Sequence, residues 1–338
     1  MFARLRRARS TLMGLAIIGI AFYHAPFIIH SQWLELLHSC LNCGVDMFLF
    51  LSGLGACHSI AGRGFWGYFR QRGRRLLPGL LVFLIPWSLV MWALGQMSGP
   101  ELLGSVTLAG WWLGQSMQLN WYFSAVWMFF LLAGPVYALL RRSRLPGLLW
   151  LGLTAAGMVL GLYVGIYTPA WWLMTAVTRI PIFLTGMLFG VLEQRGFSHT
   201  GVLRAVCGLL MIPGLWLICY VNFGVGKYYG YGLGLWWYPY GLITPGMAIF
   251  ISDLHGFLEK RKLLTSLTAP VRMCGRSSAE ILMVHVGLYK LMMLWGPFRN
   301  RIWFLAAAGC LVLGCLYRQG TQRLEALVKK LRNRHKGD

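Results

Sequence analysis

Apolar runs of about 16 to 21 residues alternate along this chain with short clusters of arginine and lysine. A helix needs about 20 mostly apolar residues to cross the hydrocarbon core of a bilayer. Ten runs can be delimited, at about residues 10–29, 44–61, 77–97, 121–140, 146–165, 176–192, 205–222, 235–253, 277–296 and 302–317. The pattern therefore predicts an all-α integral membrane protein, a bundle of about ten transmembrane helices.

The composition excludes an ordinary soluble domain. Hydrophobic residues make up 57% of the 338 residues and charged residues only 12%, whereas a soluble domain carries about 25% charged residues. The 16 Trp, 14 Tyr and 19 Phe residues suit a protein that places aromatic anchors at both membrane interfaces.

The distribution of positive charge predicts the orientation of the bundle. The formal net charge is +22, and 26 of the 31 Lys and Arg residues fall in segments that share one face if the N-terminus is inside. Cytoplasmic loops carry such an excess of positive charge. The sequence therefore predicts an even number of spans, with both termini in the cytoplasm. The predicted location is the cell membrane, specifically the cytoplasmic membrane of a bacterium. The basic clusters are interpreted as orienting the helices and contacting anionic lipid, not nucleic acid.

Both ends of the chain carry basic clusters that bear on the domain division. Arg4, Arg6, Arg7 and Arg9 precede an apolar run that continues to Ile29, which indicates an uncleaved first span. After residue 317, leucine and valine recur at helical spacing among basic residues; they are Leu324, Leu327, Val328 and Leu331. We expect a transmembrane domain over 1–317 and a basic amphipathic helix on the inner leaflet over 318–338.

Motifs for metals, nucleotides or serine hydrolases are absent from the sequence. It contains no HExxH, P-loop or GxSxG pattern. Cys40 and Cys43 form a single CxxC without a second pair, so packing is favoured over a metal or redox site, and a labile disulfide stays an alternative. No metal site is predicted.

Polar side chains within spans are costly, and they are therefore the first candidates for function. His24 lies roughly 20 Å along span 1 from its inner end, where a neutral imidazole can act as a general base. The alternative is a histidine bonded to a neighbouring helix. Asp46 opens span 2, where it can cap the helix or orient His24. Ser52, deeper in that span, is a weak candidate nucleophile because such serines often bond their own helix.

Two further groups of charged residues stand near the inner and outer edges. Arg72 and Arg75 share a helical face at the inner edge, where paired guanidiniums suit phosphate groups; a topological anchor is the alternative. Glu280 and His285 lie about 140° apart around one helix, so they need not face one cavity. Arg179 lies near the outer end of span 6.

Six motifs, in order, resemble the membrane-bound acyltransferase 3 family of O-acyltransferases, over about residues 10–290. The motifs are Leu12–His24, Gly44–Gly53, Tyr68–Pro78, Trp121–Phe123 with Pro135, Arg179–Gly186 and Gly275–His285. The chain departs from the family at one position: Met13 stands where the first helix normally carries an arginine, eleven residues before the histidine. Arg9, one turn earlier, is a possible substitute.

The resemblance implies transfer of an acyl group, in many cases acetyl from acetyl-CoA, to a hydroxyl of an envelope carbohydrate. It implies catalytic His24 steadied by Asp46, with Arg72 and Arg75 holding the donor. Arg179 would stabilise an oxyanion or hold the acceptor, with Glu280 and His285 of second rank. No bound cofactor is expected beyond the acyl-CoA co-substrate, and glycan-synthesis proteins are possible partners. A transporter or flippase of an acyl or lipid-linked sugar, and an inactive regulatory relative, are the alternatives.

Overall fold

The computed structural model describes residues 1–115, 119, 121–225, 230, 232–260, 265–296 and 298–334, and within them the protein is helical without strands. The helices are α1 (Phe2–Arg7), α2 (Arg9–His24), α3 (Gln32–Cys40), α4 (Cys43–Ala93), α5 (Gly99–Thr107), α6 (Trp121–Arg142), α7 (Pro146–Tyr167), α8 (Met174–Val177), α9 (Ile180–Gln194), α10 (Thr200–Tyr220), α11 (Tyr238–Lys260), α12 (Thr265–Arg276), α13 (Ser278–Leu294) and α14 (Asn300–Arg334). A 3₁₀ turn precedes α8, and a π-helical turn follows α10.

Seven helical segments of the described chain are long and apolar enough to cross a membrane. The number becomes eight if the bent pair of 268–276 and 278–294 is one broken span. These segments support the predicted all-α, multi-pass membrane protein.

The sequence predicts about ten spans, and the two numbers differ at two places in the chain. Predicted spans 2 and 3 both lie in α4, whose 51 residues are counted as one segment although the helix is broken at Gly64. Predicted span 1 coincides with α2, whose 16 residues are fewer than the roughly 20 that a span needs. The exact number of crossings stays a prediction.

A break at Gly64 divides α4 into two arms. A straight helix of 51 residues would be about 76 Å long, more than twice the thickness of the hydrocarbon core. Gly64 has a φ of 70° and a ψ of 171°, a conformation that favours glycine. The break separates the apolar arm that begins at Cys43 from the arm that carries Arg72 and Arg75.

The first arm of α4 lies at the centre of the bundle, packed against α2 and α9. On its other side α2 packs closely against α12. A Cβ atom added at Gly14 would lie 1.9 Å from the Val271 carbonyl oxygen, and one at Gly275 would lie 1.8 Å from that of Ser10. Both positions require glycine for this approach, which brings the inner half of α2 against α12 and the start of α13.

Segments predicted to share the cytoplasmic face contact one another in the structure. Arg4 pairs with Asp253 at 2.8 Å and Arg6 with Glu193 at 3.1 Å. At the opposite end, His38 lies 2.9 Å from the Phe22 carbonyl oxygen. The two ends of the bundle are thus sorted as the charge pattern predicts, and which end faces the cytoplasm stays a prediction.

The predicted domain boundary at 317/318 falls within α14, which continues unbroken to Arg334. Leu324 and Leu327 are about half exposed, whereas the side chains of Val328 and Leu331 lie outside the described residues. The amphipathic tail on the inner leaflet stays a prediction. Cys40 and Cys43 are free thiols that pack beside Leu36, in agreement with the packing interpretation.

Candidate active site

An arginine-lined cavity of about 460 Å³ lies at the end of the bundle that carries the basic clusters. Residues of α2, both arms of α4, α6, α12, α13 and α14 line it. Its arginines are Arg9, Arg72, Arg74, Arg75, Arg276 and Arg318. Two carboxylates, those of Glu280 and Glu325, face the same space. We call it the inner cavity; its lining strongly favours an anionic ligand.

A second cavity of about 450 Å³ adjoins the inner cavity. Arg9, Arg72 and Arg75 line both cavities, together with Gln71. The three guanidinium groups therefore form a shared wall, which we call the arginine wall. The structure brings Arg72 and Arg75 to one site, as their spacing predicts, and adds Arg9 to it.

Each end of the arginine wall is held by a specific contact. Arg9 Nη1 donates to the Leu51 carbonyl oxygen at 2.5 Å, and the Arg72 guanidinium lies 5.3 Å from the Tyr68 ring centroid. Arg9 precedes the first predicted span, and desolvation by burial, followed by the charges of Arg72 and Arg75, lowers its pKa to about 10. Arg9 is still positive at neutral pH, and its lowered pKa reflects its burial first and the nearby charges of Arg72 and Arg75 second.

The inner cavity extends from the arginine wall into the apolar bundle. Met13, Phe48 and Leu282 line its apolar part, and Ser52 also faces it. Leu282 lies three residues before His285 in α13, which is about 4.5 Å along the helix axis. The cavity therefore approaches the level of His285 from the arginine-rich end.

Glu280 belongs to the inner cavity. Its Oε2 lies 3.8 Å from Arg318 Nη1 of α14, so α14 closes one side of the cavity through a charged contact. Glu280 and His285, both in α13, lie at two different sites, the inner cavity and the contact with His24, which their angular separation allows.

His24 and His285 form a pair above the inner cavity. His24 Nδ1 lies 3.0 Å from His285 Nε2, and His285 Nδ1 lies 2.8 Å from the Ile281 carbonyl oxygen. His285 is fully buried, whereas His24, the last residue of α2, is partly exposed. Tyr289 Oη donates to the Ala21 carbonyl oxygen at 3.0 Å and so ties α13 to α2 beside the pair.

Asp46 does not contact His24, which corrects the expectation that it steadies that ring. Asp46 lies in the first turn of α4 and faces the start of α9, where its Oδ2 lies 3.7 Å from Arg179 Nε. The ring that contacts His24 is that of His285. The rotation of α4 about its axis directs Asp46 towards Arg179 and not towards His24. The sequence does not specify that rotation.

Arg179 links the outer ends of several helices. It is 1% exposed, and Nη1 donates to the Thr175 carbonyl oxygen at 2.6 Å. Its guanidinium lies 5.2 Å from the ring centroid of Trp121 and 5.7 Å from that of Trp237. These contacts stabilise the fold around Asp46; a role in oxyanion or acceptor binding stays a prediction. Within the described ranges, no group of three or more His, Cys, Asp or Glu side chains is arranged to hold a metal ion.

The comparison with protein families decides the class of this protein. A family model described as an acyltransferase domain matches residues 12–317, nearly the whole chain. The chain belongs to the acyltransferase 3 family. Searches of curated proteins and of solved structures gave no match.

Membership in the acyltransferase 3 family identifies the protein as a membrane acyltransferase. Within this acyltransferase, the tertiary structure adds two features to the predicted residues: the arginine wall that includes Arg9, and the pairing of His24 with His285. The sequence signal for the arginine wall is the position of Arg9, four residues before Met13 on one helical face. The histidine pair joins residues that are 261 positions apart, and the sequence holds no signal for it.

Proposed function

We propose that this acyltransferase moves an acyl group, acetyl in the first instance, from a cytoplasmic acyl-CoA to a hydroxyl of an envelope carbohydrate. The observation that supports the proposal is the course of the inner cavity. It begins at the arginine wall and extends between α2 and α13, the two helices that carry His24 and His285. A long anionic donor with its reactive group at the far end fits such a cavity.

The arginine wall would hold the phosphates of the donor. Guanidinium groups bind phosphate oxygens through paired, charge-assisted hydrogen bonds, and Arg9, Arg72 and Arg75 lie together at the basic end. The pantetheine arm would then follow the apolar lining past Met13 and Phe48 towards Leu282. This direction would carry the thioester to the level of the histidine pair.

His24 would act as the general base on the acceptor. Its Nε2 takes the hydroxyl proton while the acceptor oxygen attacks the thioester carbonyl carbon. The new C–O bond forms as the C–S bond breaks, and the proton passes from His24 to the departing thiolate. The products are an ester of the acceptor and free CoA, with no net change at the enzyme.

The remaining assignments follow from this reaction. The protein would work as a multi-pass protein of a bacterial cytoplasmic membrane, with lipid around it and no nucleic-acid partner. Acyl-CoA would be a co-substrate and not a resident cofactor. Glycan-synthesis proteins would supply the acceptor at the outer face.

The test is an acetyl-transfer assay on the purified protein in lipid nanodiscs, with labelled acetyl-CoA and a panel of envelope glycans. We expect wild type to label at least one glycan and His24→Ala to be slower by about 100-fold or more. Equal transfer by both proteins would overturn the role of His24. Translocation of an acyl group or lipid-linked sugar without ester formation would favour the transporter, and the absence of both activities would favour the inactive relative.

A further inference from the structure

We propose that His285 is a positioning residue that fixes the protonation of His24. By this proposal His285 holds His24 in the tautomer whose Nδ1 carries the proton and whose Nε2 is a bare lone pair. The inference rests on the proposed function, in which His24 Nε2 is the general base. It assigns a role to a side chain that never touches the acceptor.

The direction of the hydrogen bonds follows from the one partner that cannot donate. A carbonyl oxygen only accepts, so the 2.8 Å contact between His285 Nδ1 and the Ile281 oxygen requires a proton on His285 Nδ1. A neutral imidazole carries one proton, so His285 Nε2 is then an acceptor. The 3.0 Å contact with His24 Nδ1 therefore requires the proton to lie on His24 Nδ1. His24 Nε2 is left as the basic nitrogen.

The alternative, a positively charged His285, would reverse the second hydrogen bond. In the described part of the chain, His285 contacts His24, the Ile281 carbonyl oxygen and the Tyr289 ring, and none of these supplies a negative charge. A buried cation without a counter-charge is costly, and His285 is 0% exposed. The neutral ring, which accepts through Nε2, is the form that this environment favours.

Neighbouring side chains hold the pair in place, and the Ile20 carbonyl oxygen, one turn before His24 in α2, also lies within hydrogen-bonding reach of the His24 ring. Tyr289 bonds the Ala21 carbonyl oxygen, and His38 contacts the Phe22 carbonyl oxygen from α3. Tyr23 lies against the His24 ring, with centroids 5.2 Å apart. Tyr289, His38 and Tyr23 are thus titratable groups that adjoin the pair within the described part of the chain.

The unequal burial of the two rings agrees with their proposed roles. The partly exposed ring, His24, reacts, and the fully buried ring, His285, orients it. When His24 Nε2 takes the acceptor proton, the imidazolium keeps its Nδ1–H donated to His285 Nε2, which strengthens that bond. The same proton then leaves from His24 Nε2 to the thiolate, so His285 keeps its own proton throughout.

Two substitutions of His285 separate positioning from packing. His285→Gln keeps an acceptor near the position of Nε2, whereas His285→Asn keeps a donor near the position of Nδ1, which can still reach the Ile281 carbonyl oxygen. We expect His285→Asn to lower kcat for acetyl transfer by about 100-fold, with KM for acetyl-CoA within about twofold of wild type. We expect His285→Gln to keep kcat within about tenfold of wild type.

A higher kcat in His285→Asn than in His285→Gln would overturn the proposal. It would mean that activity needs only the hydrogen bond to the Ile281 carbonyl oxygen. Nitrogen NMR of protein labelled at its histidine rings reads the tautomer directly, with His24→Gln used to assign the His24 signals. We expect a protonated Nδ1 and a bare Nε2 on His24 in wild type, and a mixture of tautomers in His285→Asn. A protonated His24 Nε2 in wild type would overturn the proposal. Since this signal needs no turnover, failure of the proposed acyl transfer and failure of the positioning role are distinguishable.

Discussion

At the scale of single residues, the arginine wall is the feature with the clearest energetic consequence. Arg9, Arg72 and Arg75 line the same two cavities, and like charges held together are stabilised when an anion lies between them. A hydrogen bond to a charged group contributes about 1.5–3 kcal/mol. Each of the three side chains is therefore expected to contribute measurably to donor affinity.

Replacing Arg72 or Arg75 with alanine should weaken binding of acetyl-CoA by about 10- to 100-fold, because each change removes a phosphate contact. Isothermal titration of the protein in nanodiscs measures the change. Arg70→Ala is the matched control, because Arg70 lies in the same helix but lines neither cavity. Wild-type affinity in both Arg72→Ala and Arg75→Ala would leave these residues as topological anchors only.

Arg9 and Met13 allow a charge-swap test on one face of α2. Both side chains line the inner cavity, and they are four residues apart, which is one helical turn. We expect Arg9→Met to weaken acetyl-CoA binding by about tenfold, and we expect the added change Met13→Arg to recover most of that loss. Met13→Arg alone tests whether a fourth guanidinium adds anything, and we expect little gain because Arg9 already supplies the charge. An unrecovered double variant would show that position 9 has a role that position 13 cannot fill.

At the scale of elements, the packing of α2 against α12 positions the inner half of the site. Backbone atoms of the two helices approach so closely that Gly14 and Gly275 leave no space for a Cβ atom. The same approach places Arg9 and Met13 beside the start of α13, where Glu280 lines the inner cavity. A change in this helix pair should therefore affect stability and donor binding together.

Gly14→Ala should separate α2 from α12, because the new Cβ atom would meet the Val271 backbone at 1.9 Å. Overpacking of this kind costs about 1–3 kcal/mol, so we expect a lower thermal denaturation midpoint and weaker acetyl-CoA binding. Gly208→Ala in α10 is the control, since its Cβ atom would meet nothing within 4 Å, and we expect no loss there. Equal midpoints for the two variants and wild type would contradict the close packing.

At the scale of the whole molecule, the two parts of the site lie towards opposite ends of the bundle. The arginine wall lies among the segments with most of the positive charge, and His24 ends α2 near the loops of the other face. This separation suits a donor and an acceptor that approach from opposite sides of a membrane. It depends on the sidedness that the charge pattern predicts.

Reporter fusions test that sidedness. A fluorescent protein fused at the C-terminus should fluoresce, because the predicted orientation places the C-terminus in the cytoplasm. A phosphatase that is active only outside, fused after Ser98 in the segment between α4 and α5, should be active. The reverse pattern would invert the bundle and remove the basis for a cytoplasmic donor at the arginine wall.

The sequence by itself determined the class of fold, the grouping of basic segments at one end and the family motifs. These properties depend on local quantities: hydrophobic run length, charge between runs and short residue patterns. Ten apolar runs could be located, and their number exceeds the seven or eight spanning segments because the two arms of α4 count as one segment and α2 has only 16 residues. His24, Arg72 and Arg75 were identified for the same local reasons.

The tertiary structure alone decided which polar groups meet. It paired His24 with His285 and turned Asp46 towards Arg179, and it brought Arg9 of α2 to the wall formed by Arg72 and Arg75 of α4. Each of these contacts depends on the rotation of one helix about its axis relative to another. That rotation is set by packing across the bundle, such as the backbone contact at Gly14 and Gly275, and no local pattern in the sequence encodes it.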